Sequence, residues 1–167
     1  MHDQLTKEDI RKMQEEIDYR NRVLRPKIME DVVTARSYGD LSENFEYKAA
    51  KQEQRKNDSR TRYLERMIKT AVIISDESDG DTAGLYDLVE LYFEEDDELQ
   101  EIRLVTTLRQ DSTKWLISNV SPLGKAVMGR RAGERVSVKV NEEYSYFVQI
   151  RSITKGEDDG SIDILPY

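Results

Sequence analysis

The chain has no cysteine and a single histidine, His2. Without cysteine, disulfides, thiolate metal sites and cysteine nucleophiles are excluded. With one histidine beside the N-terminus, serine–histidine–aspartate catalysis and histidine-based zinc sites inside the fold are excluded as well. The sequence also lacks a Walker A motif and a G-x-G-x-x-G motif. Self-contained catalysis is therefore not expected.

Long apolar runs are missing too. The longest uninterrupted aliphatic run is residues 71–74, whereas a membrane-spanning helix needs roughly 20 apolar residues. Residues 1–10 carry charges where a signal peptide would have an apolar stretch. Hydrophobic residues make up 37% of the chain and charged residues 36%. We therefore expect a soluble protein with no membrane partner, in which one conventional core does not engage the whole chain. The absence of cysteine is compatible with a cytoplasmic location but does not require it.

The net charge of −8 is distributed unevenly. Residues 1–70 hold 16 Lys and Arg against 14 Asp and Glu, a net of +2, whereas residues 71–167 hold 10 against 20, a net of −10. This asymmetry indicates two parts with different electrostatic roles. The acidic total argues against general binding of duplex DNA, which depends on neutralising phosphates with Lys and Arg.

Helical periodicity dominates residues 1–75, which we predict to form an antiparallel two-helix coiled-coil hairpin. In the first helix, apolar residues recur every three or four positions apart from a gap at 20–21. Thr6 and Asp9 provide a capping signal, Pro26 predicts a kink or a perturbed preceding turn, and Gly39 predicts a C-terminal cap. The second helix is predicted over 41–70. Its seam is weaker and is predicted to run through Phe45, Ala49, Gln52, Lys56, Ser59, Tyr63 and Met67.

Strand-like alternation dominates residues 76–167, which we predict to form a second, α+β domain. An acidic linker spans 75–84, and strands are predicted over 85–93, 99–107, 114–118, 135–140 and 144–153. Pro122 is predicted to open a short helix that ends at Gly129. The predicted architecture is a small antiparallel sheet with one short helix.

The predicted turn between the two long helices contains two acids, Asp40 and Glu43. One interpretation is a capping box, in which Asp40 caps the second helix and Glu43 reaches back from its first turn. Another is that both carboxylates are presented as metal ligands. Mg²⁺ is typically held by one or two carboxylates together with waters and substrate phosphates, so such a tip would supply half of a metal site.

Motifs in both halves resemble one protein family. The N-terminal motifs are Arg25-Pro26, Ala35-Arg36, Gly39-Asp40-Leu41-Ser42-Glu43-Asn44, Glu46-Tyr47 and Ala49-Ala50-Lys51. The C-terminal motifs are Ile117-Ser118, Ser121-Pro122-Leu123-Gly124, Gly129, Gly133-Glu134 and Val136. In this order they resemble the GreA/GreB family of bacterial transcript-cleavage factors. The resemblance implies an FKBP-like C-terminal domain that docks on RNA polymerase.

The resemblance also implies a function for the hairpin. The tip would enter the secondary channel of bacterial RNA polymerase and stimulate Mg²⁺-dependent cleavage of the 3′ end of backtracked RNA, while the polymerase remains the catalyst. Asp40 and Glu43 would be metal or water ligands, and Ser42 would orient the reacting groups. Lys51, Arg55 and Lys56 would contact the nascent RNA, although a solvated helix face would also account for these charges, and Ser121 and Pro122 would contact the polymerase.

Two other functions stay open at this stage. Phe45 stands where the family usually has alanine, and the opening of the C-terminal sheet, 85–89, departs from the family's usual pattern. These departures leave room for a non-cleaving regulator or inhibitor that occupies the same channel. A peptidyl-prolyl isomerase or chaperone is a third candidate, but it would need a proline pocket lined by aromatic residues.

Overall fold

The structure, a computed structural model, describes residues 2–40 and 43–166. Contacts between Cα atoms divide the chain into two units, one combining residues up to Asp9 with Val72–Pro166 and the other holding Ile10–Ala71. The helices are α1 (Lys7–Tyr19), α2 (Arg25–Arg36), α3 (Phe45–Thr70) and α4 (Pro122–Val127). The strands are β1 (Gln4–Leu5), β2 (Val72–Ile73), β3 (Leu88–Phe93), β4 (Glu98–Val105), β5 (Leu116–Ser118), β6 (Arg135–Lys139) and β7 (Ser145–Thr154).

The predicted capping signal of the first helix is confirmed. The backbone N–H of Thr6 donates to Asp9 Oδ2 at 3.0 Å, and the N–H of Asp9 donates to Thr6 Oγ1 at 3.3 Å. The two side chains thereby satisfy two backbone donors that the first turn of a helix leaves without helical partners. This exchange fixes the start of α1 at Lys7.

Pro26 perturbs the turn before it, as predicted. A π-helical segment, Arg20–Leu24, joins α1 to α2, and Pro26 lies in the first turn of α2. Proline has no N–H to donate and crowds the carbonyl four residues earlier, so the helical hydrogen-bond ladder is altered upstream. The segment also spans the gap in the apolar seam. On either side of it, the buried residues Met13 and Ile17, and Val32 and Ala35, keep the predicted spacing of three or four positions.

The prediction for the second long helix was wrong in its start and in its buried face. α3 begins at Phe45 rather than at 41, and Phe45 is 80% exposed. The residues buried along α3 are Ala50, Asn57, Arg60 and Leu64. Each of these lies one position after a residue of the predicted seam, and two of them are polar and hydrogen-bonded across the hairpin.

The sheet of the other unit has the order β5-β4-β3-β7-β6. Its core contains alternate residues of β3, β4, β6 and β7 together with Val127 from α4. The predicted alternation is confirmed in β6, where Val136 and Val138 are buried, and in β7, where Val148 and Ile150 are buried. These side chains face the same side because successive residues of a strand point to opposite faces.

The α+β class is confirmed, but the sheet is mixed and not antiparallel throughout. β5 pairs parallel to β4, with Arg103 opposite Leu116 and Val105 opposite Ser118. Parallel neighbours cannot be joined by a tight hairpin, and here residues 106–115, including a 3₁₀ turn at Ser112–Lys114, make the crossover. Because β5 has only three residues, its direction left no signal in the sequence.

A second, two-stranded sheet was not predicted. β1 pairs parallel to β2, with Gln4 opposite Val72 and Leu5 opposite Ile73. It brings the N-terminal residues to the chain that follows α3, and Leu5 is completely buried. Within the part of the chain that the structure describes, no helix combines the length and the apolar character needed to cross a membrane.

Candidate functional site

The chain reverses between α2 and α3 in a loop that contains the two predicted acids. α2 ends at Arg36, where the hydroxyl of Ser37 donates to the carbonyl of Thr34 at 2.5 Å. Gly39 has a φ of 117°, a conformation that residues with a Cβ rarely adopt. Gly39 is therefore needed in the turn, although the C-cap of α2 is Ser37 and not Gly39 as predicted.

Asn44 ties the two sides of the loop together. Its side-chain oxygen accepts a hydrogen bond from the backbone N–H of Tyr47 at 3.0 Å and so caps α3. Its side-chain amide donates to the carbonyl of Ala35, in the last turn of α2, at 2.6 Å. One side chain thus fixes the start of α3 and also links it to the end of α2.

The capping-box interpretation of Asp40 and Glu43 was therefore wrong. The N-cap of α3 is Asn44, so Glu43 precedes the helix and Asp40 lies four residues before the cap. The two acids are instead connected through the backbone, because the N–H of Glu43 donates to the carbonyl of Asp40 at 3.3 Å. Both residues are exposed.

The two acids line one concave surface at the tip of the hairpin. This tip concavity has a volume of about 710 Å³ and is lined by Tyr38, Asp40, Glu43, Asn44, Phe45 and Glu46. Carboxylate oxygens are the ligands that Mg²⁺ prefers in proteins, and here two of the lining acids come from the predicted site. The third predicted residue, Ser42, lies outside the described residues, as does Leu41.

An arginine–tyrosine contact lies beside the tip. The Arg36 guanidinium is 5.8 Å from the centre of the Tyr47 ring. Its hydrogen bond to the phenol lowers the pKa of Tyr47 below the usual value, because a nearby cation favours the ionised form. The contact joins the last residue of α2 to the first turn of α3 and so supplements the link made by Asn44.

The three predicted RNA-contacting residues lie on α3 but do not all share a face. Arg55 and Lys56 are exposed, and Lys51 is half-buried and donates to Gln54 Oε1 at 2.9 Å. Residues four apart lie on the same helix face, so Lys51 and Arg55 are neighbours. Lys56 points about 100° away from Arg55 around the helix axis, and its ammonium is 3.8 Å from Glu53.

Sequence reasoning missed a buried ionic cluster in the hairpin. The Arg60 guanidinium, with 4% of its side chain exposed, donates to both carboxylate oxygens of Glu16 at 2.8 and 3.1 Å. Arg20 donates to Glu16 at 2.8 Å and to Asn57 at 3.0 Å. Although burial raises the pKa of Glu16, these hydrogen bonds outweigh it and lower the pKa below its usual value. In the sequence, this cluster could have been inferred from the spacing of Asn57, Arg60 and Leu64, which are three and four residues apart and therefore lie on one helix face.

The predicted polymerase-contact residues lie at the start of α4. Ser121 is its N-cap: the hydroxyl accepts from the N–H of Gly124 at 3.0 Å and donates to the carbonyl of Ser118 at 2.7 Å. Pro122, which follows, is exposed. A Cβ on Gly124 would lie 1.9 Å from the carbonyl oxygen of Ser118, so only glycine fits where α4 approaches β5.

Ser121 and Pro122 also line a groove of about 710 Å³ on the sheet unit. The described residues that line this groove are mainly aliphatic and polar, and Tyr146 is the one aromatic residue among them. Trp115 does not line it. The groove therefore lacks the aromatic lining that the prolyl isomerase hypothesis requires.

Comparisons with known proteins agree across both halves. Residues 3–73 match the family described as "Transcription elongation factor, N-terminal", and residues 75–155 match "Transcription elongation factor, GreA/GreB, C-term". Transcription elongation factor GreA of Mesoplasma florum is 37% identical over 151 residues, which cover 89% of this chain and 96% of the relative. The protein of the same name from Geobacillus kaustophilus is 39% identical over 136 residues, covering 81% and 86%.

Two solved structures are also similar to this chain. The Gfh1 protein of Thermus thermophilus, a GreA factor homolog, covers 93% of this chain and 100% of its own, with 24% identity and a TM-score of 0.42. A GreA/GreB factor from Nitrosomonas europaea covers 57% and 79%, with 21% identity and a TM-score of 0.39. On the sequence matches, which span nearly the whole chain, the protein belongs to the GreA/GreB family of transcription elongation factors.

Proposed function

We propose that this chain stimulates the cleavage of backtracked RNA by bacterial RNA polymerase in the cytoplasm, and so rescues arrested elongation complexes. The α2–α3 tip enters the secondary channel of the polymerase and brings Asp40 and Glu43 to the RNA 3′ end. The polymerase remains the catalyst, and this chain supplies ligands. The proposal is carried by the tip concavity, which two exposed acids line together just before the N-cap of α3.

The donor set of the tip fits a magnesium ion shared with the polymerase. Asp40 and Glu43 each provide an exposed carboxylate, and Mg²⁺ is commonly held by one or two carboxylates while phosphates and waters complete its shell. When bound, such an ion stabilises negative charge on the attacking and leaving oxygens of an in-line displacement. Asp40 and Glu43 would hold it, and Ser42 would orient the water or the phosphate beside it.

Positively charged residues support a contact with the extruded RNA. Lys51 and Arg55 lie on one face of α3, within three turns of its start, and Lys56 is exposed on the adjoining face. Phosphate attraction by such residues weakens as the salt concentration rises. We assign docking on the polymerase to the groove beside Ser121 and Pro122, because its aliphatic lining provides apolar area for a protein partner.

The test is a cleavage assay on halted, backtracked elongation complexes with RNA labelled at its 5′ end. The variants are Asp40→Asn and Glu43→Gln, which remove the charge and keep the size. Each is expected to slow stimulated cleavage about 100-fold or more, the loss typical of removing one electrostatic group from a reaction centre. Raising the Mg²⁺ concentration should restore part of the rate, because a lost ligand weakens the binding of the ion.

Asp31→Asn is the matched control, because Asp31 is an exposed acid on α2 that does not line the tip concavity. It should cleave like the unmodified protein, and all three variants should bind polymerase equally in an anisotropy titration. If the Asp40→Asn, Glu43→Gln double variant cleaves as fast as the unmodified protein, the proposed mechanism is wrong. Unstimulated cleavage together with reduced bulk RNA synthesis would indicate the non-cleaving regulator instead.

A further inference from the structure

Phe45 is an apolar ring presented to solvent beside the two acids. It is the first residue of α3 and is 80% exposed. Its position is fixed because the preceding residue, Asn44, is hydrogen-bonded to both helices. Tyr38, which lines the same tip concavity, is 63% exposed. The tip therefore combines carboxylates with two aromatic side chains in one concave surface.

Packing within this protein does not account for Phe45. A ring that is 80% exposed contributes little apolar burial. The ammonium of Lys48, one turn further along α3, lies 5.6 Å from the centre of the ring. A cation–π contact at an exposed site is weak. The pair does, however, present a flat apolar face next to a positive charge, which is the combination that single-stranded nucleic acid binds.

We propose that Phe45 is a stacking platform for the unpaired nucleobase on the 3′ side of the RNA bond to be cleaved. The inference rests on the proposed function and deepens it, since it assigns a positioning role to a residue that is not a metal ligand. In backtracked RNA this base has left the duplex, and unstacked bases are bound by aromatic side chains. Stacking on Phe45 fixes the nucleotide, while Lys48 attracts the phosphate and Asp40 and Glu43 lie within the same concavity.

The size of the effect follows from what stacking contributes. Replacing an aromatic platform by alanine typically costs about 5- to 150-fold per stacked base. Phe45→Ala is therefore expected to slow stimulated cleavage by a factor in this range. Phe45→Leu, which keeps apolar bulk but has no ring, should be slowed similarly, whereas Phe45→Trp should retain the rate.

The decisive comparison changes the RNA as well as the protein. Each variant is assayed on a backtracked complex with an ordinary nucleotide on the 3′ side of the bond and on one with an abasic nucleotide there. With the abasic RNA, the unmodified protein should fall to the rate of Phe45→Ala, and the difference between the two proteins should disappear. A general loss of tip structure would instead slow Phe45→Ala equally on both RNAs.

The outcomes separate this inference from the function on which it rests. If the unmodified protein stimulates cleavage and Asp40→Asn does not, but Phe45→Ala or Phe45→Leu matches the unmodified protein, stacking is refuted and the proposed function stands. A deficit of Phe45→Ala that is unchanged on abasic RNA also refutes stacking. If the unmodified protein fails to stimulate cleavage, both proposals fall.

Discussion

Arg109 is the most completely buried cation of the sheet unit, and its surroundings allow a quantitative prediction. Its side chain is 0% exposed. The guanidinium donates to Asp9 at 2.8 Å, to both oxygens of Asp158 at 3.0 and 2.6 Å, and to the carbonyl of Ile162 at 3.0 Å. Although burial lowers the pKa of Arg109, the bond to Asp158 and the nearby charges raise it overall. Arg109 thus joins the start of α1 to the residues that follow β7.

We expect Asp158→Asn to destabilise the unit by about 3 kcal/mol. Removing one partner of a buried ion pair costs roughly 3–5 kcal/mol, because the remaining charge loses its compensation. We expect the low end of this range for Asp158→Asn, because Asp9 still neutralises Arg109 and the carbonyl of Ile162 still accepts a hydrogen bond from it. Amide oxygen can replace one carboxylate oxygen, but the substituted NH₂ cannot accept the second hydrogen bond.

Urea unfolding followed by the fluorescence of Trp115 measures this change. Trp115 is the only tryptophan of the chain and lies in the same unit as Arg109. With a denaturant slope of about 1–3 kcal/mol/M, the midpoint should fall by about 1–3 M. Asp159→Asn is the control, because Asp159 is exposed and accepts a bond from the backbone N–H of Ser161. A midpoint for Asp158→Asn that equals the midpoint of this control would refute the reasoning.

Two further predictions concern polar groups of the sheet unit. Hydrogen bonds from Arg135 and then Gln149 lower the pKa of Glu94 to about 2. A carboxyl pKa that is lower in the folded than in the unfolded protein stabilises the fold above pH 4.5, the unfolded value, and this stabilisation is lost as the pH falls towards 2. Arg135→Met should therefore reduce the loss of stability between these pH values and raise the pKa of Glu94 in an NMR titration. An unchanged Glu94 pKa would contradict the assignment. The hydroxyl of Thr106 is buried without a hydrogen-bond partner among the described residues. Thr106→Val should therefore stabilise the chain or change its free energy of unfolding by no more than about 1 kcal/mol. A thermal melt that shows a loss above about 1 kcal/mol would mean that the hydroxyl has a partner.

The α+β class and the location of the acidic tip were readable from the sequence because their signals are local. Apolar residues repeat every three or four positions in the first helix and every two in β6 and β7, and these periods follow from backbone geometry alone. Thr6 and Asp9 are three residues apart, so their exchange of hydrogen bonds is also a local event. Such features depend on neighbours within one turn or one strand.

Competition between local signals explains the error at the start of α3. Both Asp40 and Asn44 are residues that cap helices well. Asn44 was the one used, because its amide also reaches the carbonyl of Ala35, and an aspartate carboxylate has no N–H with which to make that second bond. The tertiary contact with α2 thereby decided which residue capped the helix and left Asp40 and Glu43 in the preceding loop.

The sequence by itself determined the two long helical segments, the positions of the strands in the five-stranded sheet and the family to which the chain belongs. Only the tertiary structure decided the direction of β5, the buried face of α3 and the burial of Arg60 and Arg109. Arg60 meets Glu16 across 44 residues, and Arg109 meets Asp9 across 100 residues. A charged side chain is stable inside a protein only where its partners are brought to it, and folding alone brings together residues so far apart in the chain.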